Sequence, residues 1–204
     1  MTLHQSGIAA VIVACSALLP LEVSAEPPDL VVHEAAELLS EGLNGREEEL
    51  ALDKDALYAL INGILLPRFD RRFSASQVLG KHWRTASDEQ RIRFVEVFYT
   101  ILLRRYADIL LEFDLGSVQV LPFRGDATKK LARVRTNVRL HDGKKVPVNY
   151  MMVSRDDGWL MFDVSVEGIS YVRNFRVELN SEIRATSLEQ VIVRLEAETG
   201  GADE

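Results

Sequence analysis

Few side chains that could carry out chemistry stand close together in this sequence. The histidines are His4, His33, His82 and His141, and the single cysteine is Cys15. The nucleophile motif G-x-S-x-G, the phosphate-binding P-loop and the dinucleotide motif G-x-G-x-x-G do not occur in the sequence. Nucleophilic catalysis by a Ser–His or Cys–His pair therefore has no local signature here.

One short segment has metal-ligand residue types at helical spacing. His33, Glu34 and Glu37 would lie on neighbouring faces of a helix, but the second histidine of a zinc-binding helix is missing. The functional interpretation is a metal bound by one histidine and two carboxylates, and the alternative is a helix face exposed to solvent. We expect no metal and no cofactor.

Asp163 is the strongest single candidate for catalysis. It lies in the otherwise apolar segment Leu160–Val164, and apolar surroundings raise the pKa of a carboxyl group until it can act as a general base. The alternative is a structural aspartate that pairs with an arginine or accepts hydrogen bonds from backbone amides. No catalytic partner can be placed from the sequence, so we expect a protein that is not an enzyme.

The elements that would position these residues begin as helices. Ser87 and Gln90 form a capping box that opens the longest predicted helix, and apolar residues widen its stripe beyond the usual width. Asp29 is the predicted cap of the first helix. Helices are predicted over residues 30–43, from Asp53 or Asp55 to Pro67, and over 69–79, 87–113, 169–182 and 187–198.

After the long helix, apolar residues recur at every second position, which indicates strands. Residues 131–140 alternate apolar side chains with arginines, and Asp-Gly turns at 142–143 and 157–158 join this segment to 146–153 and 159–166. A first strand is predicted to start at Val118. The sequence therefore predicts an α+β fold in which helices pack around a curved antiparallel sheet of about four strands, an NTF2-like cone that encloses an internal cavity.

The N-terminus predicts export. Residues 1–25 resemble a cleaved signal peptide, with an apolar run and small residues before Ala25. A lipoprotein signal at Cys15 and an uncleaved anchor are the alternatives. We expect one domain over 26–198 and a disordered polar tail over 199–204.

Charge restricts the partners. The chain carries 24 Lys and Arg against 31 Asp and Glu, a net charge of -7, without a basic block. This argues against a nucleic-acid partner and against permanent adsorption to anionic lipid. A monomer is the default expectation.

Two blocks of residues resemble a known family. The first runs from Val78-Leu79-Gly80 through Trp83, Phe94, Phe98 and Leu102 to Tyr106, and the second from Asp157 through Trp159 and Asp163 to Ser170 and Asn174-Phe175-Arg176. In order and spacing they are similar to the periplasmic phospholipid-binding MlaC-like family, also described as toluene-tolerance auxiliary proteins. The resemblance covers about residues 31–195.

The resemblance implies a carrier. Members of the family bind phospholipid between sheet and helices and shuttle it between an outer-membrane lipoprotein–porin complex and an inner-membrane ABC transporter, which maintains outer-membrane lipid asymmetry. A filled core and an enzyme with Asp163 as general base are the rival hypotheses. Arg71 or Arg72 could meet a phosphate, with solvated surface charge as the alternative. The predicted lipid-binding residues are Phe73, Val78, Trp83, Phe98, Leu102, Tyr150, Met152, Met161, Val164, Ile169 and Val172.

Overall fold

The structure is a computed structural model that describes residues 26–126 and 128–200. The predicted signal peptide, with Cys15, and the last residues of the predicted tail lie outside the described residues. Thr199 and Gly200 are described, and they belong to the last helix. Among the helices of the described residues, none has the length and apolar character that crossing a bilayer requires.

Helices fill the first half of the chain, and three of them begin directly after an acceptor side chain. The Asp53 and Asp70 carboxylates accept the amides of Ala56 and Phe73, and Ser87 forms a full capping box with Gln90. The helices are α1 (Pro28–Leu43), α2 (Glu47–Leu52), α3 (Lys54–Leu65), α4 (Arg71–Leu79), α5 (Lys81–Thr85), α6 (Asp88–Tyr106), α7 (Tyr171–Ala185) and α8 (Leu188–Gly200), with 3-10 turns at Leu66–Arg68 and Ala107–Glu112.

The sheet is an antiparallel meander in which every strand pairs with its neighbour in the chain. Gly143 and Gly158 adopt φ values of 88° and 122° in the two hairpin turns, a region that favours glycine. The strands are β1 (Phe113–Val120), β2 (Leu131–Leu140), β3 (Lys145–Arg155), β4 (Gly158–Val166) and β5 (Ile169–Ser170).

The helices pack in two groups. Helices α4, α6, α7 and α8 share one core, in which Phe98 stacks on Phe94 with ring centroids 5.7 Å apart and meets Phe175 edge-on at 5.3 Å. Helix α1 lies against β1 and β2 and also contacts α3. The sheet therefore contacts α1 through β1, β2 and β4, and it contacts α4 and α7 through β4.

The predicted fold class is confirmed, and the boundaries differ at four places. The sheet has a fifth strand, β5, too short to show an alternating pattern. Strand β1 starts at Phe113 and not at Val118, because a register shift between Asp114 and Gln119 breaks the alternation. Helix α6 ends at Tyr106, and the predicted remainder is a 3-10 turn.

The start of α1 also differs from the prediction. Pro27 occupies the N-cap, and Asp29 lies inside the first turn. There the Asp29 carboxylate accepts the backbone amide of Phe123 at 3.3 Å, which links α1 to the chain after β1. The short helices α2 and α5 have no counterpart in the sequence prediction, because five or six residues are too few to show helical periodicity.

Candidate binding cavity

A hollow space lies between the inner face of the sheet and helices α1, α3 and α6. It measures about 1140 Å³ together with the open solvent at its mouth, and its wall is almost wholly apolar. The fully buried part of the wall includes Val32, Ile61, Val148 and Met161. Such a space fits a hydrocarbon and offers few groups to a polar molecule.

We assign the mouth of the cavity to nine of the fourteen wall residues that are only partly buried. They come from the end of α6 and the 3-10 turn after it, from β1, and from the junction of β4 with α7. These residues are Leu102, Tyr106, Ile109, Leu110, Leu115, Val118, Val164, Val166 and Tyr171.

Tyrosines supply most of the polar atoms in the wall. Tyr106 and Tyr171 stack across the gap between α6 and α7 with ring centroids 3.7 Å apart. Burial raises the pKa of Tyr150 and of Tyr171 to about 12, so both hydroxyls stay protonated at neutral pH. The Tyr99 hydroxyl is buried without a hydrogen-bond partner among the described residues. The wall therefore holds neutral donors and almost no charge.

Five of the eleven predicted lipid-binding residues lie in this wall: Leu102, Tyr150, Met161, Val164 and Val172. Tyr150, Met161 and Val164 point to the helix-covered face of the sheet. Met161 and Val164 are three residues apart, and they share this face because a register shift inserts one extra residue between Asp163 and Met161. The contact of all five residues with a lipid stays a prediction.

The structure places the other six predicted residues outside the wall. Val78, Trp83 and Phe98 belong to the core shared by α4, α6, α7 and α8, and Phe73 packs edge-on against Phe162. Met152 is on the inner face of the sheet, but α1 fills the space over it. Ile169 is 56% exposed because the edge strand β5 carries it outward.

Helices α1 and α3 contribute wall residues that the sequence prediction omitted. Val32, Ala35 and Leu39 of α1 and Ile61 and Leu65 of α3 line the cavity. Their helical spacing was visible in the sequence as an amphipathic pattern. The pattern shows that a face is buried, but it does not show what that face is buried against.

The arginines proposed for a phosphate contact have other partners. Arg71 forms an ion pair with Glu96 at 2.8 Å and lies over the Tyr99 ring. Arg72 lies over the ring of Trp83, 5.4 Å from its centroid. Neither side chain belongs to the cavity wall.

Asp163 has the raised pKa that the sequence predicts, and both of its oxygens are engaged. Burial raises the pKa of the carboxyl group, while the Ser170 hydroxyl and the Val172 amide, its hydrogen-bond donors, lower it. The donors lie 2.6 Å and 3.1 Å from the carboxylate. Ser170 is itself the N-cap of α7, so Asp163 fixes the start of α7 to β4. This is the structural alternative that the sequence left open.

Replacing Asp163 by asparagine should destabilise the fold. The amide keeps one acceptor and loses the charge-assisted bonds to Ser170 and Val172, which lowers the free energy of unfolding by about 1–3 kcal/mol. Urea unfolding at neutral pH measures the loss.

The pH dependence gives this substitution a second readout. Because the folded-state pKa of Asp163 is raised, the folded state binds the proton more tightly between the ordinary value of 3.8 and the raised value. Wild type should therefore gain stability relative to Asp163→Asn as the pH falls through that window. A difference that shrinks on acidification would contradict this assignment.

The described residues contain no group of three or more side chains that could hold a metal ion. His33 lies 3.3 Å from Glu37 on an exposed face of α1, with both side chains more than half exposed. This contact accounts for the histidine and carboxylate spacing in that segment.

Comparisons with known proteins place the chain in a family. The MlaC protein family matches residues 33–197. The toluene tolerance protein ttg2D of Pseudomonas putida is 33% identical over 158 residues, which cover 76% of this chain and 73% of that protein. The intermembrane phospholipid transport system binding protein MlaC of Haemophilus influenzae is 21% identical over 150 residues, covering 72% and 70%.

A solved structure has the same fold. The phospholipid-binding protein from Ralstonia solanacearum, determined in complex with a phospholipid, superposes with a TM-score of 0.76 at 19% identity and covers 87% of this chain and 99% of that one. At this identity the likeness concerns the fold. The match of the family over most of the chain, together with the 33% identical relative, shows that this chain belongs to the MlaC protein family.

Proposed function

We propose that this chain is a periplasmic carrier that holds the acyl chains of a phospholipid in its cavity and ferries the lipid between membranes. The observation that carries the proposal is a hollow, apolar space inside a member of the MlaC family. One relative is named for phospholipid transport and another for phospholipid binding, which supports the same cargo here.

The energetics favour a carrier. Exposing a buried methylene to water costs about 0.8 kcal/mol. Two acyl chains of about fifteen methylenes each would then cost on the order of 20 kcal/mol to expose, which makes unassisted transfer between membranes very slow. An enclosed apolar wall removes this barrier, and it needs no catalytic group.

Lipid entry requires the wall to move. The space is narrow, so side chains must separate as a chain of methylenes enters. The stacked Tyr106 and Tyr171 rings join the end of α6 to the start of α7 at the mouth, where a small shift of either helix widens the opening. The polar headgroup stays at this mouth, because the partly buried wall residues lie there.

A carrier needs a membrane complex that donates the lipid and one that accepts it, and it needs no catalytic step. The proposed donor and acceptor are an outer-membrane lipoprotein–porin complex and an inner-membrane ABC transporter, and the result is maintenance of outer-membrane lipid asymmetry. The name of the Haemophilus influenzae relative supports a transport system of this kind. No catalytic step is assigned, because Asp163 is committed to Ser170 and Val172.

Native mass spectrometry tests the proposal. The gently purified chain should carry phospholipid at close to one molecule per protein, and the delipidated chain should regain it from phosphatidylethanolamine and phosphatidylglycerol vesicles. A purified chain without lipid that also takes up none from vesicles would contradict the proposal.

A further inference from the structure

The outer face of the sheet carries a row of arginines. In β2, Val134 and Val138 point to the core, so Arg133 and Arg135 point the other way and are exposed. Asn149 and Ser165 continue this outer face on β3 and β4, where they are register partners. The outer face therefore carries polar side chains on β3 and β4 and is positively charged along β2.

A groove lies where this face meets α7. It measures about 990 Å³ counted to its open side, and it brings three arginines together from two elements: Arg133 from β2, and Arg173 and Arg176 from α7. Its other lining residues are Gln77, Asn149, Met151, Phe162, Asp163, Ser165, Gly168, Ser170 and Val172. We call Arg133, Arg135, Arg173, Arg176 and this lining the basic groove.

Among the described residues, the arginines of the basic groove form no salt bridge of the kind seen elsewhere, and the carboxylate in the groove lining is Asp163, on which the charge of Arg173 acts. On the helical side, Arg93 pairs with Glu189 and Glu196 at 2.6 Å, and Arg194 pairs with Glu182 at 2.6 Å. Within the described chain, Arg133 and Arg135 form no ion pair at all. A chain with a net charge of -7 thus lines one concave face with three arginines and a single carboxylate.

The carboxylate that the groove does contain is already used. Asp163 accepts from Ser170 and Val172 and is 9% exposed. Arg176 donates its Nε to the carbonyl of Gln77 at 2.5 Å, which holds the side chain at the groove wall. These contacts hold part of the groove in place. The arginine side chains of the basic groove can then pair with an anion from outside the chain.

The basic groove adjoins the cavity. Phe162, Asp163 and Val172 line both spaces, so a single layer of residues separates them. A molecule seated in the groove would contact the junction of β4 with α7, and the cavity mouth at Val164 and Tyr171 belongs to the same junction. Docking there would bring a partner next to the point where a cargo enters and leaves.

We propose that the basic groove is the docking site for an acidic protein surface, whose carboxylates pair with Arg133, Arg135 and Arg173. The inference rests on the proposed function, since a carrier must dock to deliver its cargo. A protein is favoured over a membrane because the site is concave, and a carboxylate-bearing protrusion can enter it, whereas a lipid surface is flat. The net negative charge of the chain also opposes close approach of its remaining surface to anionic lipid.

Charge reversal tests the site. An oligoglutamate peptide should bind the full chain at low salt, and Arg133→Glu with Arg173→Glu should weaken that binding by about tenfold or more, since each Arg–carboxylate pair is charge-assisted. The matched control is Arg84→Glu with Arg184→Glu, which reverses two exposed arginines outside the groove. Calorimetric titration measures the affinities, and thermal unfolding verifies that both variants fold.

The outcomes separate the possible partners. Loss of peptide binding in the groove variant but not in the control supports the proposal. Equal losses in both variants, no peptide binding by wild type, or tighter binding to phosphatidylglycerol vesicles than to the peptide would overturn it. Phospholipid content per chain should be the same in all three proteins, so failure of the docking site is distinguishable from failure of the carrier function.

Discussion

Replacing Leu102 by arginine is expected to empty the cavity without unfolding the chain. Leu102 lies in the wall on α6 and is only partly buried, so the stem of an arginine can follow the same path. A guanidinium facing hydrocarbon costs about 2.5–3.5 kcal/mol, which corresponds to roughly hundredfold weaker retention of an acyl chain. The measurement is phospholipid per chain after purification, by native mass spectrometry.

The same helix provides a matched control. Ile92 is on α6, is 61% exposed and does not line the cavity, so Ile92→Arg introduces the same side chain with no contact to the hollow space. Lipid content should be unchanged in Ile92→Arg. If Leu102→Arg also retained its full lipid content, the cavity would not be the site that holds the acyl chains.

Sequence patterns predicted the elements well because their signals are local. The caps at Ser87 and Asp53 and the glycine turns at Gly143 and Gly158 determine the conformation of adjacent residues. The wrong boundaries lie where a local signal is absent or broken, as in the register shift of β1. Local rules therefore predicted the order of the elements and missed irregularities within them.

The cavity was harder to predict because its wall depends on long-range packing. Helix α6 is apolar on several faces, and the sequence does not show which face meets helices and which meets empty space. Phe94 and Phe98 lie in the helical core and do not line the cavity, whereas Leu102 packs against that core and also lines the cavity. Periodicity shows that a residue is buried. A cavity residue differs from a core residue because no protein atoms pack against one side of it, and periodicity does not show this.

Two predicted residues of β3 show why position along a strand matters. Tyr150 and Met152 both face the helices, but only Tyr150 lines the hollow space. Over Met152, which is fully buried, α1 supplies Val32 and Ala35 and fills the gap. A sequence pattern of period two cannot show where along a strand a covering helix ends.

Phe98 tests whether the helical core is separate from the cavity wall. Phe98→Ala should lower the free energy of unfolding by about 3–5 kcal/mol. The side chain is 1% exposed and contacts the rings of Phe94 and Phe175, so its removal leaves a void where α6 meets α7. Denaturant unfolding of the delipidated chain measures the loss, because bound lipid would add its own stabilisation.

The lipid content of the folded fraction decides whether Phe98 also binds cargo, as the sequence predicts. Because the structure keeps Phe98 out of the cavity wall, folded Phe98→Ala should carry as much phospholipid as wild type. Val177→Ala on α7, where the side chain is 67% exposed, serves as the control and should change stability by less than about 0.5 kcal/mol. Loss of lipid in Phe98→Ala with little loss of stability would place Phe98 in the binding site and contradict the separation of helical core and cavity.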